Sequence, residues 1–247
     1  MGNKLIIGNM KMNLTKTEID SYIEKISNIK NVNVVICPTS IYIPYFINKG
    51  FKIGIQNVFY FDKGSYTGEV SAYQASSLGV EYALVGHSER RTNFNETNDI
   101  NSLKLKQIID NDLKAILCIG EKKEEPLEET LYNQISILKD ISKLDNVIIA
   151  YEPVWAIGTN VIPTNEEIIK ATNYIKKLVK EKFDFDIKVL YGGSVNKNNI
   201  DALSNIKEID GFLIGGASLN VEEFINIIEV AVNKWLFLIK SDFFRQN

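Results

Sequence analysis

The chain is short of the residues that usually build metal centres and disulfide frameworks. It has 247 residues, one histidine and two cysteines. A single histidine excludes a metal site built on a histidine cluster. Cys37 and Cys118 lie far apart, in the apolar runs Val34-Val35-Ile36-Cys37 and Ile116-Leu117-Cys118. They show neither metal-ligand spacing nor a disulfide pattern, and read as reduced, buried thiols of a cytoplasmic protein. A magnesium site built on carboxylates alone stays open, but no motif calls for one. Charge of one sign is also lacking. The net charge is -3, without the basic stripe of a nucleic-acid binder. The run Trp235-Leu236-Phe237-Leu238-Ile239 is too short to span a bilayer, and Lys4-Leu5-Ile6-Ile7-Gly8 is too short for a signal peptide. No Gly-x-Gly-x-x-Gly turn follows the first apolar run, which weighs against a dinucleotide-binding sheet. No Pro/Gly/Ser-rich linker divides the chain, so residues 1–247 are expected to form one domain.

What the chain has is periodicity. Hydrophobic residues make up 45%, and short β-branched runs recur throughout. They are Leu5 to Ile7, Val32 to Cys37, Lys52 to Gln56, Tyr82 to Val85, Ala115 to Ile119, Val147 to Tyr151, Ile187 to Leu190 and Phe212 to Ile214. Such runs fit strands buried on both faces of a parallel sheet. Helical patterns separate most of them, among them Thr15 to Ile29, Asn98 to Asn111, Leu127 to Leu144 and Asn165 to Lys182. Thr164, with Glu167 three residues on, fits a capping box. Pro126 suits a first helical turn. Eight strands alternating with helices indicate an α/β fold, a (β/α)₈ barrel; a doubly wound open sheet is the main alternative.

In such barrels the chemistry sits where strands stop. The polar residues there are Asn9 and Lys11, then His87 with Ser88-Glu89-Arg90-Arg91, then Glu121, then Glu152, then Ser194. Gly192-Gly193-Ser194 and Gly215-Gly216 follow the last two strands. Either glycine pair alone reads as an ordinary tight turn. Together they favour a phosphate site, because glycine lets backbone N–H groups approach an anion. A lone histidine is more often structural, but the position of His87 at a strand end, with charges following, favours function. Glu152 is either paired structurally or poised as a base. Pro153 fixes the backbone beyond it, and Trp155 and Ile157 suit a loop that closes on something.

The motifs Gly8-Asn9-Met10-Lys11-Met12-Asn13, Val85 to Arg91, Cys118-Ile119-Gly120-Glu121, Ala150 to Thr159, Tyr191-Gly192-Gly193-Ser194 and Gly211 to Ser218 occur in order, each at a predicted strand end. In this the chain resembles the triosephosphate isomerase family, from about Lys4 to about Ile228. The resemblance implies interconversion of dihydroxyacetone phosphate and D-glyceraldehyde 3-phosphate, in glycolysis and gluconeogenesis, without a cofactor. It implies Glu152 as the base and His87 as the electrophile. Lys11 and Asn9 would stabilise charge, and Glu89 would be a carboxylate near the lysine. Gly158, Ser194, Gly215 and Gly216 would join Asn9 and Lys11 in gripping phosphate. The lid would run from Pro153 through Val154, Trp155, Ala156, Ile157, Gly158 and Thr159 to Asn160. A homodimer is implied too, with loop 57–70 entering the partner subunit and Thr67, Glu69 and Arg90 at the contact. No nucleic-acid or membrane partner is expected. The other readings are a different sugar-phosphate barrel enzyme and a phosphate-binding or adhesion protein on the same scaffold.

Three departures stand out. Met10 replaces a tryptophan usual in the family. Pro163 occupies the position whose backbone N–H bonds the tyrosine of Tyr-Gly-Gly-Ser in the family's closed lid, and proline has no N–H. The family pattern fades after about Ile228, where an apolar tail with Trp235, Phe237, Phe243 and Phe244 begins at about residue 229.

Overall fold

Every predicted apolar run becomes a strand in the structure, a computed structural model that describes residues 4–27, 29, 33–158 and 161–232. The strands are β1 (Leu5–Asn9), β2 (Val34–Cys37), β3 (Lys52–Ile55), β4 (Tyr82–Val85), β5 (Lys114–Ile119), β6 (Val147–Tyr151), β7 (Lys188–Tyr191) and β8 (Gly211–Ile214). Each pairs in parallel with the next, and β8 closes on β1 with Ile6 opposite Phe212. The closed (β/α)₈ barrel replaces the open-sheet alternative. The apolar tail expected from about residue 229 lies outside the described residues beyond 232.

The helices are α1 (Lys16–Ile26), α2 (Ile43–Phe46), α3 (Ala72–Ser77), α4 (Ser88–Asn93), α5 (Asn98–Asp110), α6 (Leu127–Ile135), α7 (Asn165–Phe183) and α8 (Ile200–Ser204), followed by a helical stretch at 221–232. At the start of α7 the expected capping box forms: Glu167 N donates to Thr164 Oγ1 at 3.2 Å, and Thr164 N donates to Glu167 Oε2 at 2.8 Å. The helix predicted from Leu127 to Leu144 does not hold. It ends at Ile135 and gives way to 3-10 turns at Ser136–Asp140 and Leu144–Asn146. Ser136 Oγ donates back to Tyr132 O at 2.7 Å, a local bond that competes with the helix. Pro126 sits one residue before α6, as its N-cap.

Strand alternation divides the core in two. Outward residues such as Ile6, Val34 and Leu117 join Ile19, Leu105 and Ile175 of the surrounding helices. Inward residues, including Ile7, Cys37, Leu84, Ile116, Cys118, Ala150, Leu190 and Leu213, form a separate cluster that fills the barrel. Cys37 and Cys118 are both buried and free. Met10 is buried as well, at 1% exposure, so it fills the space expected of the larger residue. Because the barrel interior is solid, ligands are confined to its ends.

Candidate active site

The C-terminal ends of the strands surround a cavity of about 420 Å³ lined by Asn9, Lys11, His87, Glu152, Gly158, Ser194, Gly215 and Gly216, among others. Eight of the residues singled out in the sequence therefore meet in one place, although they come from five strand ends.

Glu152 follows β6 directly. Its backbone N–H donates to Ile119 O at 2.7 Å, which fixes the turn. Its side chain is buried, the residue being 2% exposed. Ser88 N donates to Oε2 at 3.0 Å, and His87 Nε2 lies 3.1 Å from Oε1. Glycines make room for it. A Cβ at Gly120 would fall 1.7 Å from Glu152 O, and one at Gly192 would fall 3.0 Å from Glu152 Cγ.

His87 caps α4. Its Nδ1 accepts the Glu89 backbone N–H at 3.3 Å, which places the ring proton on Nε2. Glu89 Oε2 stands 3.7 Å from Nδ1, too far for a hydrogen bond. The imidazole therefore presents an N–H toward Glu152 and the cavity.

Lys11 adopts a left-handed backbone, φ 52°, which costs a side-chain-bearing residue strain. Its neighbours hold it there. Lys11 N donates to Asn9 Oδ1 at 3.1 Å, and Lys11 O accepts from Thr39 Oγ1 and Gln56 Nε2 at 3.0 and 2.8 Å. Lys11 Nζ pairs with Glu89 Oε1 at 2.6 Å. A Cβ at Gly215 would lie 3.6 Å from that ammonium, whereas one at Gly216 would meet nothing within 4 Å. The glycines after β8 thus open onto the lysine, and a 3-10 turn at Gly216–Ser218 follows. Ser194 closes the ring from the β7 side, its Oγ donating to Ala156 O at 3.0 Å.

The segment expected to act as a lid begins with a 3-10 turn at Val154–Ala156. Two bonds from the lid reach Glu121: Val154 N donates to Glu121 O at 3.0 Å, and Trp155 Nε1 donates to Glu121 Oε1 at 2.8 Å. Tyr151 Oη donates to the same Oε1 at 3.2 Å. Burial pushes the Glu121 carboxyl above the ordinary carboxylate range, partly offset by these donors. The position of Glu121 at a strand end is visible in the sequence, but its role as anchor of the lid is not. Gly158 turns with φ 69°. Thr159 and Asn160, and any turn at Asn160, lie outside the described residues. Pro163 is buried, and the hydroxyl of fully buried Tyr191 has no hydrogen-bond partner among the described residues.

Arg91, also unassigned from sequence, ties the site's frame. Nε donates to Gly86 O at 2.7 Å and an Nη to Cys118 O at 3.3 Å, joining the ends of β4 and β5. Of the expected contact residues, Thr67 and Glu69 are exposed, and Arg90 Nε donates to Glu96 Oε1 at 2.5 Å within the chain.

A barrel with an anion-sized glycine cradle, a lysine, a buried carboxylate and a histidine at its C-terminal end is the site of an enzyme acting on a small phosphorylated molecule. The family model for triosephosphate isomerase matches residues 4–231. Proteins called triosephosphate isomerase are similar over nearly the whole chain. That of Francisella philomiragia is 40% identical over 245 residues, covering 92% of this chain and 97% of its own. That of Francisella tularensis subsp. holarctica is 38% identical with the same coverage. That of Alkaliphilus oremlandii is 38% identical over 248 residues, covering 92% and 99%. The chain belongs to the triosephosphate isomerase family.

Proposed function

We propose that this chain isomerises triose phosphates, interconverting dihydroxyacetone phosphate and D-glyceraldehyde 3-phosphate through an enediol(ate), a step of glycolysis and gluconeogenesis. The observation that carries the residue roles is the meeting of Glu152 and His87 at 3.1 Å beside the cavity that Lys11 and Gly215 line.

Glu152 is the base. Its carboxylate takes the proton from the carbon next to the substrate carbonyl. His87 Nε2–H donates to that carbonyl oxygen as negative charge gathers on it, and Lys11 and Asn9 add positive charge and a further hydrogen bond. The proton of the substrate hydroxyl passes to the former carbonyl oxygen, relayed between the two adjacent oxygens at His87 Nε2, and the protonated Glu152 returns its proton to the former carbonyl carbon, so no external acid, base or redox partner is consumed. This division of roles is already known for the family. Glu89 holds Lys11 in place. Gly158, Ser194, Gly215 and Gly216 receive the phosphate, and the lid from 153 to 160 shuts water out while the intermediate exists.

The protein acts as a homodimer in the cytoplasm. Support comes from an aromatic group on loop 57–70, where Phe59 stacks on Tyr60 at 4.2 Å and Phe61 on Tyr66 at 5.3 Å between centroids. Phe61, Tyr66 and nearby Met12 are exposed in the single chain, as apolar contact residues would be. Thr67, Glu69 and Arg90 belong to the same contact, and residues 1–247 act as one domain. No helix of the described residues is long and apolar enough to cross a membrane. The test is a coupled assay in both directions: turnover of either triose phosphate supports this reading, and a folded protein without turnover contradicts it.

A further inference from the structure

The barrel's opposite end breaks the pattern of its interior. Inward positions alternate along each strand, and Ile116 and Leu190 belong to the inner cluster. Two residues earlier on the same strands stand Lys114 and Lys188, at the first positions of β5 and β7. Lys52 is likewise two residues before Gly54, whose Cβ direction points at the inner Cys37 Sγ. The pairings Val35 with Lys52, Tyr82 with Lys114, Ile148 with Lys188 and Leu5 with Gly211 fix the heights. With the stagger of about one residue per strand that an eight-stranded barrel of this type requires, Leu5, Lys52, Lys114 and Lys188 form one layer. Layers in such barrels are normally apolar. Here three of the four side chains are lysines.

The layer above supplies a floor. Tyr82 is buried, and the ammoniums of Lys52 and Lys114 each lie 5.7 Å from the centroid of its ring. The two lysines thus approach one ring, Lys52 half-buried and Lys114 exposed. Countercharge is sparse. Lys52 Nζ has Glu81 Oε2 at 3.7 Å. Among the described residues Lys114 and Lys188 have no carboxylate at ion-pair distance. Of the acids near this rim, Asp186 pairs with Lys180 and Asp210 with Lys176. Two like charges share the Tyr82 ring and the register sets the third lysine in the same layer; like charges so grouped repel one another, and a bound oxyanion relieves that repulsion. Ammonium groups are compact charges suited to phosphate oxygens.

We propose that the N-terminal mouth of the barrel binds a compact polyvalent oxyanion of the condensed-phosphate class through Lys52, Lys114 and Lys188. The site is separate from the catalytic cavity, because the filled barrel interior lies between them. A polyvalent ligand fits better than a single phosphate, since it can reach three ammoniums at once.

The probe is sodium tripolyphosphate, titrated calorimetrically into the full chain. Because the catalytic cavity also attracts phosphate, the titration is made in the Lys11→Met background, with and without Lys114→Met and Lys188→Met together. Retained binding in Lys11→Met, weakened about tenfold or more by the added pair, is the expected result. Loss of all binding in Lys11→Met, or a smaller change from the pair, overturns the proposal. The pair in an otherwise unaltered chain should leave isomerase kcat/KM unchanged. Should the pair fail to fold, amine acetylation of the unaltered protein decides the matter. Tripolyphosphate should slow modification of Lys114 and Lys188 relative to exposed Lys123, and equal rates at all three contradict the site.

Discussion

Glu152 Oε1 and His87 Nε2 stand 3.1 Å apart, with Ser88 N holding the other carboxylate oxygen at 3.0 Å. The groups proposed as base and electrophile are therefore in close contact with each other. In the proposed mechanism substrate comes between the two, so that the imidazole N–H meets the carbonyl oxygen and the carboxylate the carbon-bound proton. The rest of the site keeps that exchange within reach: the capped His87 cannot swing its proton to Nδ1, and Gly120 and Gly192 leave Glu152 its space.

Replacing Glu152 with Gln keeps the size of the side chain and removes its basicity. Steady-state kinetics should show kcat reduced by about 10²–10⁴, with KM changed little, because the phosphate grip by Lys11, Ser194 and the glycines is untouched. A large rise in KM with kcat preserved would place the residue in binding instead of proton transfer.

Tyr191→Phe tests the unusual lid end. The Tyr191 hydroxyl is buried without a partner among the described residues, and Pro163 has no N–H to offer it. Removing an unsatisfied buried hydroxyl should leave kcat within about twofold and stabilise the fold by about 1 kcal/mol. Thermal melting would register this as a rise of about 2–4 °C. A large loss of kcat would mean that the hydroxyl finds a partner when the lid closes.

Glu121→Gln tests the lid anchor and its pH dependence. Burial raises the Glu121 carboxyl above its ordinary 4.5. The folded chain therefore holds this proton more tightly than the unfolded chain does. The group costs nothing below pH 4.5, and its destabilising contribution grows as pH rises from 4.5 through the raised folded value. Glutamine keeps an acceptor for Trp155 and Tyr151 without the buried charge. The variant should melt together with the parent at pH 4 and about 1–4 °C higher at pH 7.5. A gap of equal size at both pH values would show that charge is not the cause.

The fold was readable because parallel strands buried on both faces print as largely apolar runs, and all eight could be read so although Asn33 and Lys188 interrupt two of them. Asn9, Lys11, His87, Glu152 and the paired glycines were readable because chemistry in this architecture gathers at strand ends. What was hidden depends on contacts between distant segments. Glu121 is linked to Trp155 across 34 residues, and Arg91 to Cys118 across 27. No local pattern encodes either. The break in the helix after Ile135 was missed for the opposite reason: a local Ser136 bond overrides a periodicity that continues through it. The lysines at the other mouth were counted as strand starts in part, yet only the register shows that they share a layer.

The most direct test of the central claim is solvent deuterium incorporation. Dihydroxyacetone phosphate is incubated with the protein in D₂O, and the reacting carbons of both triose phosphates are followed by proton NMR. If Glu152 carries the proton, the unaltered chain places deuterium at those carbons, and Glu152→Gln slows the exchange in step with its loss of kcat. Deuterium incorporation by Glu152→Gln at the rate of the unaltered chain would contradict the account.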